Sequence, residues 1–308
     1  MTLMQKLLGA AAGLALTAGA ASADPALIFD LGGKFDKSFN ESAYNGAERF
    51  KEETGVEYLE FEITDPSQRV AGEFPDTQFG IVDVGWLGGD NLRQYTYKEH
   101  EGSFLVGALA AMASETGTVS FVGGMDIPLI RRFACGYEQG VRAVNPDANV
   151  IVNMTGTTPA AWGNPTRGAE LARGQFDQDS DVVFAAAGGT GVGVYQAAAD
   201  AGKFAIGVDA NQNYLHPGVM LSSMVKRVDN AVYDTFMSSM NEEFEAGVFD
   251  LGLAEAGVGA AMDEYNADLV SDDMMAALAE FEAAIIAGDL VVQNFTDEGF
   301  SFEGSCVN

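Results

Sequence analysis

The sequence has only two cysteines, Cys135 and Cys306, and only two histidines, His100 and His216, in 308 residues. Two histidines and two distant cysteines do not supply a plausible ligand set for a metal ion. The cysteines do not form a catalytic dyad either, and we expect each histidine at the surface or in ordinary packing. The sequence therefore predicts no metal and no cofactor.

Basic residues are scarce. The chain has 16 lysines and arginines but 45 aspartates and glutamates, which gives a formal net charge of −29. A field of this sign disfavours nucleic acid, anionic lipid and polyanionic ligands. A neutral or cationic small molecule is tolerated. The simplest explanation of the acidity is a heavily solvated surface.

Long apolar runs are confined to the start of the chain. Residues 1–23 combine Lys6, an apolar run at 7–20 and three small residues at 21–23, which is typical of a cleaved secretory signal. Removing 23 residues from 308 leaves 285 and changes the net charge from −29 to −30. No later stretch approaches the roughly 18 to 20 apolar residues of a membrane span. We expect an exported, periplasmic protein and, since no cysteine lies at the predicted cleavage site, one without a lipid anchor.

Predicted export also affects the expected state of the two cysteines. An oxidising compartment favours a disulfide over two free thiols. Bridge geometry is strict, and the sequence does not give the distance between Cys135 and Cys306. We predict that they form a disulfide.

Short apolar runs alternate along the chain with segments of helical periodicity. Predicted strands lie at 26–31, 58–63, 79–84, 118–122, 149–154, 181–186 and 204–208, and predicted helices at 40–53, 99–114, 128–144, 166–175, 192–201, from 226 onward, and at 272–287. Strands separated by helices imply parallel sheets with right-handed crossovers. The length of the mature chain suits two lobes. We therefore predict a two-lobed α/β protein.

The loop after the first predicted strand, residues 32–40, is the first place to look for a ligand. Ligands of open α/β sheets bind at the carboxyl ends of strands, beside helix N-termini. Ser38 and Glu41 have the spacing of a capping box, and Phe39 and Tyr44 that of a hydrophobic staple with Asn40 as N-cap. The two assignments demand different helix starts. Either leaves the ring of Phe39 at the crevice, where it could stack on a flat heterocycle.

Other strand ends carry further candidates. The glycine-rich loop 188–193 could bring backbone N–H groups close to a ligand, although it matches neither the dinucleotide nor the P-loop motif, and a tight turn explains it equally well. Asp83 and Asp209 end predicted strands, where aspartate also serves as a turn former. Lys226 follows an apolar run and could pair with Asp209 or donate to a hydroxyl.

Several ordered motifs together resemble one family. They are DKSFN at 36–40, EGSFLVG at 101–107, FVGG at 121–124, AAGGTGVGV at 186–194, IGVD at 206–209 and SSMVK at 222–226. These motifs, spread over nearly all of the mature chain, are similar to the basic membrane protein family of nucleoside-binding ABC transporter substrate-binding proteins. The resemblance implies a two-lobed type I periplasmic binding fold that holds a nucleoside between its lobes and delivers it to a permease.

The resemblance also implies roles for individual residues. Two rings, Phe39 and Phe184, are implied to stack on the base from opposite lobes. The other implied contacts are polar: Asp30, Asn40 and Asp83 at the base edge, Asp209 and Lys226 at the ribose hydroxyls, and the close backbone of Gly189. These groups suit a neutral nucleoside, which offers two flat faces and a vicinal diol.

The sequence departs from the family after residues 58–63. The family continues there through a helix, a strand and a second helix, whereas only residues 64–74 intervene here. So short a connection cannot hold these elements, and we expect a first lobe that lacks one strand. The predicted lobes are residues 24–123 with about 222–246, and 124–221 with about 247–308.

These observations lead to one function and two rivals. We expect a monomeric, non-enzymatic solute-binding protein that captures a nucleoside, of the purine class, for an ABC importer. A periplasmic sensing module for a membrane receptor would have the same binding lobes. A nucleoside hydrolase would use Asp209 and Asp83 as acid and base, but the sequence offers no metal set, catalytic histidine or activated nucleophile.

Overall fold

A computed structural model describes residues 25–62, 76–297 and 300. The described strands are β1 (Ala26–Phe29), β2 (Leu59–Glu62), β3 (Phe79–Val82), β4 (Leu92–Tyr97), β5 (Thr118–Met125), β6 (Asn149–Gly156), β7 (Val182–Ala186), β8 (Phe204–Asp209), β9 (Met220–Lys226), β10 (Gly247–Leu251) and β11 (Val258–Ala260). The described helices are α1 (Phe39–Thr54), α2 (Glu99–Ala113), α3 (Pro128–Val144), α4 (Pro165–Phe176), α5 (Gly191–Ala201), α6 (Val228–Met240) and α7 (Asp272–Ala287). The predicted α/β class is confirmed.

The larger, second lobe is built on a six-stranded sheet in the order β11, β9, β8, β7, β5, β6. Its strands are parallel except for the edge strand β11. Every residue of β7 is buried, as expected for a parallel strand covered on both faces. Phe184 points into the core shared with α2, α3 and α7, while Val183 and Ala185 pack against α4 and α5.

The first lobe contains two small parallel sheets, β1 with β2, and β10, β4, β3. Leu27 and Phe29 of β1 pack on α1, and α1 packs on α6. No strand pairing joins the two sheets within the described residues. Residues 63–75, where the short connection falls, lie outside the described part of the chain.

The chain crosses between the lobes at positions other than the predicted lobe boundaries. The chain passes from one lobe to the other at about Lys98, Arg227 and Gly252, and Lys98 N–H donates to the carbonyl of Leu251 at 3.0 Å. Thus α2, β5 and β9 lie with the second lobe, and β10 with the first. Periodicity identifies α2 as a helix, but this helix is apolar nearly all round, so its pattern does not indicate which sheet it covers.

Most predicted elements are found close to their predicted bounds. The helices at 128–144 and 272–287 are confirmed with the same bounds. Three strands were missed, β4, β10 and β11, and β9 was seen only as an apolar run before a helix. The predicted signal falls on residues outside the described part of the chain, and no described helix has the length and apolarity needed to cross a membrane.

Candidate functional site

The carboxyl ends of parallel strands from both lobes meet in one cleft. The first lobe contributes the loop between β1 and α1 and the residue that follows β3, and the second lobe contributes the ends of β7, β8 and β9. Two side-chain contacts join the lobes here. The hydroxyl of Ser38 donates to the carboxylate of Asp209, and the ammonium of Lys226 donates to Asp83 at 2.5 Å.

Lys226 lies at the centre of this cleft and is only 2% exposed. Its ammonium nitrogen is also 3.0 Å from an oxygen of Glu99, and 5.6 Å from the ring centroid of Phe39. Burial opposes charging this group, but the carboxylates of Asp83, Glu99 and Asp209 outweigh burial and raise the pKa of Lys226. The cleft therefore contains a fixed positive charge held by an excess of carboxylates.

Asp83 and Asp209 share an unusual backbone conformation. Their φ angles are 64° and 62°, in the left-handed region that aspartate tolerates better than most residues. Burial raises the pKa of Asp209 to about 7, although Lys226 and the hydroxyl of Ser38 act in the opposite direction. Burial likewise raises the pKa of Asp83 against the effect of Lys226. Left-handed residues at strand ends are typical of functional sites.

The start of α1 matches one predicted cap in position, but neither in its hydrogen bonds. Ser38 occupies the N-cap position without making a side-chain cap bond. Asp36 accepts instead from the backbone N–H groups of Ser38 (2.8 Å), Asn40 (3.1 Å) and Glu41 (3.1 Å). The capping box therefore gave the N-cap position correctly but not its bonds, and the staple was wrong, because α1 begins at Phe39 and Tyr44 packs edge-on against Phe35. With Asp36 as the cap, the hydroxyl of Ser38 is available to Asp209.

Asn40 holds the loop together in this structure. Its amide nitrogen donates to the carbonyls of Asp30 and Gly33, both at 3.1 Å, and its oxygen accepts from the N–H of Asp30 at 3.2 Å. Asn40 is buried, whereas Asp30 is exposed. Asn40 thus has a structural function that the sequence did not indicate, and the predicted contacts of both residues with a base stay predictions.

The two predicted stacking rings are not brought together. Phe39 is half-buried at the cleft against the first-lobe core, with Lys226 beside its ring. Phe184 is fully buried, and its ring packs at 5.3 Å from that of Phe121 and 5.4 Å from that of Tyr137. The structure places Phe184 inside the second lobe and does not show it facing Phe39.

A different second-lobe ring, Trp162, lies beside the glycine-rich loop. A Cβ atom built on Gly124 would be 2.1 Å from this indole ring, and one on Gly188 would be 3.6 Å from it. A Cβ on Gly189 would be 3.4 Å from the carbonyl oxygen of Trp162 and 3.7 Å from that of Asp36. Gly189 thus lies close to the loop of the opposite lobe. Sequence reasoning missed Trp162, although tryptophan is rare in this chain.

Three polar residues of the site were also missed. Gln212 donates from its amide to the carbonyl of Lys37 in the opposite lobe, which is a further contact across the cleft. Glu99 and Arg132 form an ion pair behind Lys226, with an N–O distance of 2.8 Å. Glu99 stands next to the resemblance motif at 101–107, but only the packing of α2 brings it to the cleft.

Cys135 and His100 are buried in the interior of the protein. Cys135 is fully buried on α3 and is not a free thiol, while Cys306 lies outside the described residues, so the pairing stays a prediction. His100 is a buried packing residue, and burial lowers its pKa to about 4. The described residues contain no group of three or more histidine, cysteine or acidic side chains suited to a metal ion.

Two α/β lobes with a polar cleft at their strand ends resemble solved solute-binding proteins of ABC transporter systems. A solved solute-binding protein of an ABC transporter system from Aeropyrum pernix K1 superimposes with a TM-score of 0.79 and 26% identity, covering 88% of this chain and 94% of its own. The chain belongs to the Bmp family, the PnrA-like ABC transporter substrate-binding proteins, whose sequence model matches residues 58–294.

Two relatives illustrate the family. A Listeria monocytogenes protein named CD4+ T-cell-stimulating antigen is 31% identical over 291 residues, covering 78% of this chain and 80% of its own length. An uncharacterized lipoprotein of Pyrococcus abyssi is 33% identical over 274 residues, covering 76% and 68%. The second name gives no support to the expectation of a protein without a lipid anchor.

Proposed function

We propose that this protein captures a nucleoside, of the purine class, between its two lobes and presents it to an ABC permease. The observation that carries the proposal is the buried Lys226 beside Asp209, at neighbouring strand ends and next to the half-buried ring of Phe39. The proposal includes a monomer that is exported from the cytoplasm.

The charges and rings of the cleft match the parts of a neutral nucleoside. An ammonium and a carboxylate at adjoining strand ends suit a vicinal diol, because the ammonium donates and the carboxylate accepts. The ring of Phe39 offers one flat apolar face for a base. Trp162 offers a ring on the second-lobe side, and in this proposal it takes the function first expected of Phe184.

Recognition of hydroxyl groups by buried charges predicts strong discrimination. A ligand that lacks the diol forgoes its hydrogen bonds to Asp209 and Lys226 in a desolvated site, which costs more than the loss of an apolar contact. The strongly acidic chain also disfavours nucleotides, whose phosphates carry negative charge.

Calorimetric titration with inosine, guanosine, adenosine and cytidine tests the proposal. We expect saturable binding of at least one purine nucleoside, and a loss of about tenfold or more in affinity for Asp209→Asn, which corresponds to about 1.4 kcal/mol. Asp126→Asn is a matched control, because Asp126 pairs with Arg131 at 2.7 Å outside this cluster. Absence of heat for all four nucleosides with folded protein contradicts the proposal.

A nucleoside hydrolase would need Asp209 and Asp83 as acid and base. In the structure Asp83 is engaged by Lys226, and Asp209 accepts from Ser38. Binding without turnover is the expected result, so chromatography after prolonged incubation should recover the nucleoside unchanged. Release of free base would favour the enzyme.

A further inference from the structure

Lys226 is held by carboxylates from both lobes. Asp83, which follows β3, belongs to the first lobe and accepts the hydrogen bond of the ammonium at 2.5 Å. Glu99 begins α2 in the second lobe, and one of its oxygens lies 3.0 Å from the same nitrogen. This second contact lacks the alignment of a hydrogen bond, so it acts through charge.

Glu99 is itself fully buried and requires compensation for its charge. Arg132 of α3 donates to the other oxygen of Glu99 at 2.8 Å and to the carbonyl of Tyr97 at 2.9 Å. The N-terminus of α2 adds the favourable end of a helix dipole, since Glu99 is the first residue of that helix. These two partners compensate the buried charge of Glu99.

The two carboxylates differ in what happens when the cleft opens. Lys226 ends β9, and α2 packs on β9, so Lys226 and Glu99 lie in the same lobe. Asp83 lies in the other lobe, and separation of the lobes withdraws it from Lys226. The contact between Glu99 and the ammonium does not depend on the distance between the lobes, so it would persist in an open cleft that a ligand can enter.

We propose that Glu99 is a positioning residue that, with Arg132 as its counter-charge, holds the ammonium of Lys226 ready for the ligand while the cleft is open. The inference rests on the proposed function, since the ligand groups in question are the nucleoside hydroxyls. Glu99 does not touch the ligand in this proposal but acts through Lys226.

The test compares Glu99→Gln with Glu138→Gln. Glu138 is also a buried glutamate of the second lobe with an arginine partner, Arg142 at 2.8 Å, but it lies on α3 outside the Lys226 cluster. Titration with inosine and with 2′,3′-dideoxyinosine measures the contribution of the hydroxyls. We expect Glu99→Gln to weaken inosine about tenfold and dideoxyinosine less than about threefold, and Glu138→Gln to leave their ratio unchanged.

A double-mutant cycle with Lys226→Met separates positioning from a general structural effect. If Glu99 acts through Lys226, adding Glu99→Gln to Lys226→Met weakens inosine no further. An additional loss of tenfold in the double variant overturns the inference. Glu99→Asp, which keeps the charge, should recover part of the affinity, and circular dichroism confirms that each variant is folded.

A measurement without ligand keeps the inference testable if no nucleoside binds. The ammonium protons of a buried, ion-paired lysine exchange slowly with water and give their own signal in ¹⁵N-labelled protein. We expect that Glu99→Gln accelerates exchange at Lys226 and that Glu138→Gln does not. Unchanged exchange in Glu99→Gln overturns the inference, whereas absence of nucleoside binding to the wild-type protein overturns the proposed function instead.

Discussion

The carboxyl group of Asp209 is the clearest case in which burial changes the chemistry of a single residue. It is 9% exposed, and burial raises its pKa from 3.8 to about 7 against the effects of Lys226 and Ser38. Near neutral pH this carboxyl therefore exists in both forms, and its ionised form is the one that accepts hydrogen bonds from a ligand.

This pKa makes the stability of the protein depend on pH. Between about pH 4 and pH 7 the folded chain binds this proton more tightly than the unfolded chain, so the free energy of unfolding falls as the pH rises. The free energy of unfolding that wild type loses over this range is on the order of 4 kcal/mol. Asp209→Asn has no carboxyl to titrate and should not show this loss. In urea unfolding, we therefore expect the stability of the variant relative to wild type to increase from pH 5 to pH 8.

Asp126→Asn is the control for this prediction. The hydrogen bond from Arg131 lowers the pKa of Asp126, so that the stability contributed by this carboxylate is fully present at pH 5 and pH 8 and is lost only at lower pH. Its stability relative to wild type should be the same at pH 5 and pH 8. An equal pH response in both variants, or none in Asp209→Asn, contradicts the assignment.

At the scale of the elements, α2 and α3 pack unusually closely through glycine. A Cβ atom on Gly107 would lie 2.1 Å from the carbonyl oxygen of Tyr137, and one on Gly140 would lie 2.0 Å from that of Phe104. Real Cβ atoms do not approach backbone oxygens so closely. This contact holds α2 against α3, and with it Glu99 beside Arg132.

Gly140→Ala should therefore destabilise the protein by about 1 to 3 kcal/mol or more, because the two helices must move apart. Gly174→Ala is the matched control on α4, where a Cβ meets nothing within 4 Å. An alanine at such a helical position is expected to stabilise by about 0.5 to 1 kcal/mol. Equal effects of the two substitutions on the free energy of unfolding would show that the close packing is unimportant.

The elements of this protein were largely predictable from its sequence, but the sheets were not. Apolar runs and helical periodicity gave α3 and α7 their observed bounds, since local patterning determines those helices. The edge strand β11 has only three residues, too few for a pattern. The pairing of β10 with β4 joins segments about 150 residues apart, which no local signal specifies.

At the scale of the whole molecule, the lobes contact each other directly in the cleft. The hydroxyl of Ser38 donates to Asp209, and the amide of Gln212 donates to the carbonyl of Lys37. A hydrogen bond to a charged group is worth about 1.5 to 3 kcal/mol, enough to change the ratio of closed to open molecules about tenfold or more.

Ser38→Ala should consequently favour the open form. We expect a larger radius of gyration for the unliganded variant than for wild type in small-angle X-ray scattering. Ser120→Ala is the control, because Ser120 is an equally buried serine whose hydroxyl bonds to Ser180 within one lobe, at 2.7 Å. An unchanged radius in Ser38→Ala, or the same increase in Ser120→Ala, would contradict a role of this contact in closure.

The first lobe shows how a local difference in the sequence affects the whole molecule. Its two small sheets are separate, and Ile28, Leu59 and Phe61 on the β1–β2 sheet are 61%, 62% and 50% exposed. The loss of a strand in the short connection after β2 stays a prediction. The sequence did not indicate that α2 and β5 belong to the second lobe.

The sequence by itself determined the α/β class, most helices and strands, and the strand-end positions of Asp83 and Asp209, because these follow from periodicity and from where parallel strands end. Only the tertiary structure decided that Phe184 is enclosed in the second lobe, that Asp36 caps α1 in place of Ser38, and that Glu99 and Arg132 stand behind Lys226. Those outcomes depend on the packing of segments far apart in the chain, since a side chain's partners are set by the elements that surround it and not by its neighbours in sequence.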